Sequence, residues 1–181
     1  MVIKKLIFKL FFAVGLLVFF NAFAKESQEF TATYFSNYSG GGDFALHLNN
    51  GDSVFVISYS TVYGTSVKIY LELKSDREMR LKSVKLNDSD VCFYDISFGS
   101  GSKIGISNRN SLWSTGFNLK FNVCKAKWRA LIEDAQGGNL TFYVLCIEVG
   151  SGLELKYEFR VSAANLGKLI DLIEPVYCLK P

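Results

Sequence analysis

The stretch LTFYVLCIEVGSGLELKYEFRV, residues 140–161, indicates how this chain folds. Two apolar segments, 140–149 and 153–161, flank Gly150-Ser151-Gly152. Glycine adopts positive φ at little cost, which a tight turn between neighbouring strands requires. In the second segment polar and apolar residues alternate, as in a strand with one buried face. The stretch therefore predicts an antiparallel β-hairpin.

Seven more segments toward the N terminus have the character of strands, because they are short, apolar or alternating, and bounded by Gly, Asn, Asp or Ser. They are residues 30–35, 44–48, 53–60, 66–74, 80–86, 91–98 and 117–123. The alternation is strictest in residues 117–123, which indicates one buried face and one solvent face. Nine strands predict a mainly β fold, an antiparallel β-sandwich or barrel.

Two segments have helical spacing instead, with apolar residues at i, i+3, i+4 and i+7. These residues are Trp128, Leu131, Ile132 and Ala135 in the first segment and Leu166, Leu169, Ile170 and Ile173 in the second. Ser162 is placed to cap the second helix, and Pro175 is placed to end it. We predict two short helices that pack on the sheets.

Residues 1–24 have the three parts of a secretory signal peptide. Lysines at positions 4, 5 and 9 accompany an unbroken apolar run, residues 10–20, and Ala22-Phe23-Ala24 supplies the small residues that signal peptidase requires. An uncleaved membrane anchor is the alternative, but a span needs about 20 apolar residues and this run is shorter. We predict cleavage near Lys25, which leaves residues 25–181 as a single β-rich domain.

Cleavage also removes the positive net charge. The chain has 20 Lys and Arg against 17 Asp and Glu, and the signal contains three lysines and no acid. The mature domain is therefore formally neutral, which argues against a nucleic-acid partner. No cysteine lies directly after the cleavage site, where a lipoprotein would carry its lipid. We expect a periplasmic or secreted protein without a stable membrane anchor.

Export would carry four cysteines, Cys92, Cys124, Cys146 and Cys178, into an oxidising compartment, so we predict two disulfides. Four cysteines allow three pairings, and their spacing weakly favours Cys92 with Cys124 and Cys146 with Cys178. No two cysteines form a CxxC pair and His47 is the only histidine, so we predict no metal site and no cofactor.

The sequence contains few signals for catalysis. No serine lies in a GxSxG motif, and His47 lies in an apolar setting that is typical of a structural histidine. A pair of carboxylates remains as an alternative, because glycosidase-type hydrolysis needs only two acids facing each other across a cleft. The available acids are Glu72, Asp88, Asp90, Glu133 and Asp134. We predict a protein that is not an enzyme.

Aromatic residues in the N-terminal third are candidate partner contacts, because tyrosine buries much area at little entropic cost. We select Tyr34, Phe35 and Tyr38. Arg109 and Trp113 are added because Arg and Trp are frequent binding anchors and their loop is rich in turn residues. The alternative is that the tyrosines are ordinary strand residues and that Trp113 folds back over the core.

Five features follow one another from residue 124 onward. They are Cys124-Lys125-Ala126, the acidic Glu133-Asp134, Gly137-Gly138, the predicted hairpin and the helix opened by Ser162. Over about residues 124–173 this pattern resembles the invasion-associated locus B family of exported bacterial proteins. The resemblance includes no catalytic motif. It implies a periplasmic or surface β-sandwich with a role in host interaction or in the envelope.

Together these features predict an exported, non-enzymatic domain that binds another protein, such as an inhibitor or immunity protein for an envelope enzyme, or a host-interaction factor. The alternatives are a carboxylate-dependent envelope hydrolase and a structural component of a surface assembly. A cleft with two facing acids would favour the hydrolase. An exposed aromatic patch would favour binding, and a long unpaired strand edge would favour assembly.

Overall fold

The computed structural model describes residues 30–34, 42–60, 66–93, 102–103, 105–107 and 111–178. The strands in this part of the chain are β1 Phe30–Tyr34, β2 Gly42–Asn50, β3 Ser53–Ser60, β4 Ser66–Lys74, β5 Met79–Leu86, β6 Ser89–Asp90, β7 Ser102–Lys103, β8 Gly105–Ser107, β9 Leu112–Asn118, β10 Asn139–Glu148 and β11 Glu154–Ser162. The helices are α1 Phe121–Asp134 and α2 Ala163–Cys178. The signal peptide predicted over residues 1–24 lies outside the described residues.

The strands form two antiparallel sheets. In sheet A the order is β1-β2-β3-β4-β9-β8, and in sheet B it is β11-β10-β5-β6, with β7 also paired to β5. The prediction of a mainly β, antiparallel fold with two helices is confirmed. Two separate sheets correspond to the sandwich rather than to the barrel.

The inner faces of the two sheets meet in a common core. Burial alternates residue by residue along β3 and β10, so that every second side chain points inward. The ring of Phe55 in sheet A stacks on Phe142 in sheet B, with 4.6 Å between the centroids, and Phe159 lies 5.5 Å from Phe55. Trp128 of α1 meets Phe142 edge-on at 5.6 Å. These rings join both sheets and α1.

The hairpin quoted at the outset forms as predicted. Strand β10 pairs with β11 from Asn139↔Ser162 to Ile147↔Glu154. Gly150 and Gly152 have φ values of +97° and +72°, which side chains with a Cβ rarely adopt. The chain can therefore reverse direction within a few residues, and the pairing fixes which β10 residues face the core.

Helix α2 confirms the predicted cap but corrects the predicted end. The Asn165 backbone N–H donates to Ser162 Oγ at 3.1 Å, which satisfies one of the free N–H groups of the first turn. Pro175 was expected to end the helix, and that expectation is wrong because α2 continues to Cys178 with Pro175 inside it. Proline removes one backbone donor but does not by itself end a helix whose apolar side is buried.

The strand predicted over residues 117–123 is confirmed only for Phe117 and Asn118. Strand β9 ends at Asn118, Leu119 makes one isolated bridge with Phe93, and α1 begins at Phe121. Phe121 fits the alternating pattern, but with Cys124 and Trp128 it also has the spacing i, i+3, i+7 of a helix. All three are buried in the helix, and their burial decides the local structure.

Two further boundaries differ from the prediction. The predicted strand 91–98 is not found over residues 91–93; instead, Ser89–Asp90 forms a short strand, the Val91 N–H donates to the Val84 carbonyl at 3.0 Å, and Phe93 forms an isolated bridge with Leu119. Residues 94–98 lie outside the described part. Strand β9 begins at Leu112, in a region that we assigned to a turn-rich loop. By contrast, β3 and β4 have the predicted bounds.

The predicted disulfide stabilisation is not supported by the structure. Cys92, Cys124 and Cys146 are all unbonded thiols, and the side chain of Cys178 lies outside the described residues. The structure does place Cys92 beside Cys124, as the spacing suggested, since the Cys92 N–H donates to Cys124 Sγ at 2.9 Å. Cys146 lies apart, fully buried on the inner face of β10.

Gly167→Ala is expected to raise the free energy of unfolding by about 1 kcal/mol, because alanine is the better helix former by about that amount. Gly167 lies in α2 and no atom stands within 4 Å of a Cβ built there. The matched control is Gly150→Ala, which should lower stability by about 1 kcal/mol or more because φ at Gly150 is +97°. Urea unfolding measures both changes. Shifts of the same sign would contradict these assignments.

Candidate binding face

The outer face of sheet B, made by the outward side chains of β5, β10 and β11, is called here the basic face. On β10 the residues Phe142 and Val144 are buried, whereas the alternate residues Tyr143 and Leu145 point outward. Strand pairing places Lys85 opposite Tyr143 on one side and Lys156 opposite Leu145 on the other. Apolar and aromatic side chains therefore form the centre of this face and lysines flank them.

An open groove of about 700 Å³ runs across the basic face. Its lining residues come from three strands and from the turn after β5. They are Lys82, Ser83, Lys85, Asn87, Asp88, Tyr143, Leu145 and Lys156. A β-bulge between Leu145 and Cys146 shifts the register against β5, so that both Lys82 and Ser83 are half-buried neighbours in the groove wall. The groove combines three cations and one carboxylate, that of Asp88, with an aromatic and an aliphatic contact surface.

Each lysine of the groove has a carboxylate at the rim as its present partner. Lys82 pairs with Glu154. Lys85 Nζ lies 3.9 Å from Asp90 Oδ1, and Lys156 Nζ lies 2.8 Å from Glu158 Oε1. These lysine side chains are 43–51% exposed. Exposed ion pairs contribute about 0–1 kcal/mol, so the lysines can exchange these partners for the carboxylates of a bound molecule at small cost.

Tyr143 is held in place by a cation. The Nζ of Lys156 stands 4.0 Å from the centroid of the Tyr143 ring. A cation over an aromatic ring is attracted to the negative face of the ring and limits its rotation. This contact favours one orientation of the ring, and such preorganisation lowers the entropic cost of binding.

A second open groove, of about 510 Å³, lies between α1 and α2. Its lining is mostly apolar or small, and its residues are Ile132, Gly137, Ala163, Ala164, Gly167, Lys168, Asp171 and Leu172. Beyond it, Lys125 Nζ binds Glu174 at 2.8 Å and Arg129 Nη2 binds Asp171 and Glu174 at 2.9 and 2.6 Å. The hydrogen bond from Lys125, followed by that from Arg129, lowers the pKa of Glu174. These contacts join the two helices.

The residues that we selected from sequence as partner contacts are not gathered into one site by the described structure. Tyr34 is the last residue of β1, and its side chain lies outside the described part, as do Phe35, Tyr38 and Arg109 entirely. Trp113, which we selected as a partner contact, is instead a core residue. It is 8% exposed, and its indole Nε1 donates to the Ser75 carbonyl at 3.0 Å.

The candidate carboxylates are also spread over the fold. Glu133 and Asp134 are exposed at the end of α1, and Asp88 and Asp90 lie in the hairpin after β5. Glu72 lies on sheet A, where Tyr70 Oη donates to it at 2.7 Å. Each of the two grooves contains one carboxylate. Among the described residues no group of three or more His, Cys, Asp and Glu side chains could hold a metal ion.

The long edge of sheet B is partly covered. Strand β11 is the last strand of that sheet, and its open side faces the end of β2. Asn50 Nδ2 donates to the Glu158 carbonyl at 3.0 Å. A side chain thus occupies one of the edge acceptors that an added strand would need.

Sequence reasoning overlooked the basic face altogether. The sequence identifies Tyr143 and Lys156 as members of two strands, and Lys82 and Lys85 as members of a third, but it does not indicate that they are neighbours. The pairing of Lys156 with Leu145 could have been predicted from sequence, because the turn of the 140–161 hairpin sets the register of its two strands. The contribution of β5 could not be derived, since nothing local indicates that β5 pairs with β10.

No protein-family model, no curated protein and no solved structure matches this chain. The resemblance to the invasion-associated locus B family therefore stays a prediction. Neither described helix is long and apolar enough to cross a membrane.

Proposed function

We propose that this is an exported, non-enzymatic binding protein, periplasmic or secreted, that contacts another protein through the basic face. The observation that carries this proposal is the groove of about 700 Å³ in which Tyr143 and Leu145 lie between Lys82, Lys85 and Lys156. An inhibitor or immunity protein of an envelope enzyme and a host-interaction factor are the two forms of binding protein that we propose.

The groove fits an acidic segment of a partner protein that also carries an apolar side chain. Lysines on both sides of β10 can meet carboxylates, and Leu145 with the Tyr143 ring supplies the apolar contact between them. In many protein interfaces aromatic residues at the centre supply much of the binding energy, and charged residues lie at the rim. The rim lysines would speed association and select partners by charge, and the centre would supply most of the affinity.

The double variant Tyr143→Ala/Lys156→Ala is expected to bind the partner at least about thirtyfold more weakly, because it removes an anchor worth about 2 kcal/mol or more. The mature protein is immobilised, the partner is recovered from envelope extract, and its affinity for each purified variant is measured. Raising the salt concentration should weaken the wild-type complex, since lysine–carboxylate attraction at a surface is screened.

The matched control is Tyr70→Ala/Lys68→Ala on the outer face of sheet A, where Tyr70 is 39% exposed and Lys68 is exposed two positions away. This variant changes the same residue types on the other sheet and should keep full affinity. Circular dichroism verifies that both variants fold. Equal affinity of the two variants, or no reproducible partner, would contradict the proposal, and turnover of a glycan or peptidoglycan substrate would favour the hydrolase.

Export is part of the same proposal. The signal predicted over residues 1–24 would deliver the chain to a compartment in which thiols are oxidised. Of the predicted pairings we propose only Cys92 with Cys124, which is argued below, because Cys146 is an unbonded thiol in the core and the side chain of Cys178 lies outside the described residues.

A further inference from the structure

Cys92 and Cys124 lie where the chain leaves the edge of sheet B and where α1 begins. Cys124 is in the first turn of α1, and Cys92 follows β6 by two residues. Two backbone contacts hold the segments together. The Lys120 N–H donates to the Cys92 carbonyl at 2.8 Å, and Phe93 forms a bridge with Leu119. The two cysteines therefore have a fixed separation in the folded chain.

That separation is short enough for a disulfide. The Cys92 N–H donates to Cys124 Sγ at 2.9 Å. Because the N–Cα bond adds about 1.5 Å, the Cys124 sulfur lies no more than about 4.4 Å from the Cys92 Cα. The Cys92 sulfur now points toward the Asp90 carbonyl, 3.9 Å away. Rotation of the Cys92 side chain toward Cys124 can close the bond without movement of a strand.

The two thiols differ in their access to solvent. Cys92 is partly exposed, whereas Cys124 is fully buried. Burial raises the pKa of the Cys124 thiol to about 12, and the neighbouring Cys92 side chain adds to the increase. Because the thiolate is the attacking species in disulfide exchange, an oxidant in solution meets Cys92 first. Cys146 is fully buried on β10, and burial raises its pKa to about 12 as well.

We propose that Cys92 and Cys124 form a disulfide in the folded protein, and that Cys92 is the thiol that reacts first with a small disulfide oxidant such as glutathione disulfide. The Cys92 thiolate attacks one sulfur of the oxidant, the oxidant S–S bond breaks, and one glutathione leaves as a thiol. Cys124 then attacks the Cys92 sulfur, the mixed disulfide bond breaks, and the second glutathione leaves as a thiol with the proton that Cys124 loses. Two protein thiols are oxidised and one glutathione disulfide is reduced.

The test uses the full mature chain, purified reduced and kept native. It is exposed to glutathione disulfide, quenched with acid at increasing times, digested without reduction and mapped by mass spectrometry. The final product should contain one peptide pair joined through Cys92 and Cys124. Early samples should carry one glutathione at Cys92 and none at Cys124. A linkage of Cys92 to Cys146 or Cys178, or two unmodified thiols at 92 and 124, would overturn the pairing.

Variants then test the order of attack. Cys124→Ala should retain one glutathione at Cys92, because the second thiol that displaces it is absent. Cys92→Ser should leave Cys124 unmodified while the chain is folded, and urea should make Cys124 react. Glutathione on native Cys124 before Cys92 would show that the order is wrong. The time course of the wild-type protein decides the order even when a variant does not fold.

Discussion

Phe142→Ala is expected to lower the free energy of unfolding by about 3 to 5 kcal/mol, the usual cost of truncating a buried phenylalanine. Phe142 is fully buried, and its ring contacts Phe55 of sheet A at 4.6 Å and Trp128 of α1 at 5.6 Å. The substitution leaves a cavity where two sheets and a helix meet, and rigid strands on both sides cannot close it. Urea unfolding followed by tryptophan fluorescence measures the loss.

The neighbouring residue supplies the control. Tyr143 follows Phe142 on β10 but points to the opposite face, where Lys156 covers its ring. Tyr143→Ala should therefore cost about 1 kcal/mol or less, as is usual for substitutions at a surface. A loss at position 143 as large as the loss at position 142 would show that the strand is shifted by one residue. In that case the basic face would not exist as described.

The hairpin at residues 140–161 and the strands β3 and β4 could be predicted from sequence because the information is local. Alternation identifies the buried face, and Gly51 and Gly150 have the positive φ that their turns require. The end of β9 could not be predicted in this way. Phe121 satisfies both periods, and the choice between them depends on the burial of Trp128 against Phe142, which is a long-range contact.

The candidate site depends still more on long-range pairing. Lys85 and Tyr143 are opposite each other only because β5 pairs with β10, almost sixty residues later in the chain. Trp113 shows the reverse case. Its local sequence is rich in turn residues and suggests exposure, but pairing with Leu73 of β4 turns it into the core. From sequence we selected tyrosines as candidate contacts but could not identify the strand face on which Tyr143 lies beside the lysines.

Reduction of the proposed Cys92–Cys124 disulfide is expected to lower the free energy of unfolding by about 3 to 4 kcal/mol, the amount that chain entropy gives for a loop of about thirty residues. The bond restricts the unfolded chain. In the folded state it adds little strain, because backbone contacts already hold Cys92 against the start of α1. Urea unfolding of the oxidised protein, with and without a phosphine reductant, measures the difference.

Each protein in this experiment is compared only with itself, with and without reductant, so that the cost of substituting a buried cysteine cancels. The double variant Cys92→Ser/Cys124→Ala should unfold at the same urea concentration in both conditions. Cys146→Ala should keep the full response to the reductant, because Cys146 lies in the core of β10 and outside the proposed bond. A response that disappears in Cys146→Ala and persists in the double variant would place the stabilising disulfide at Cys146 instead.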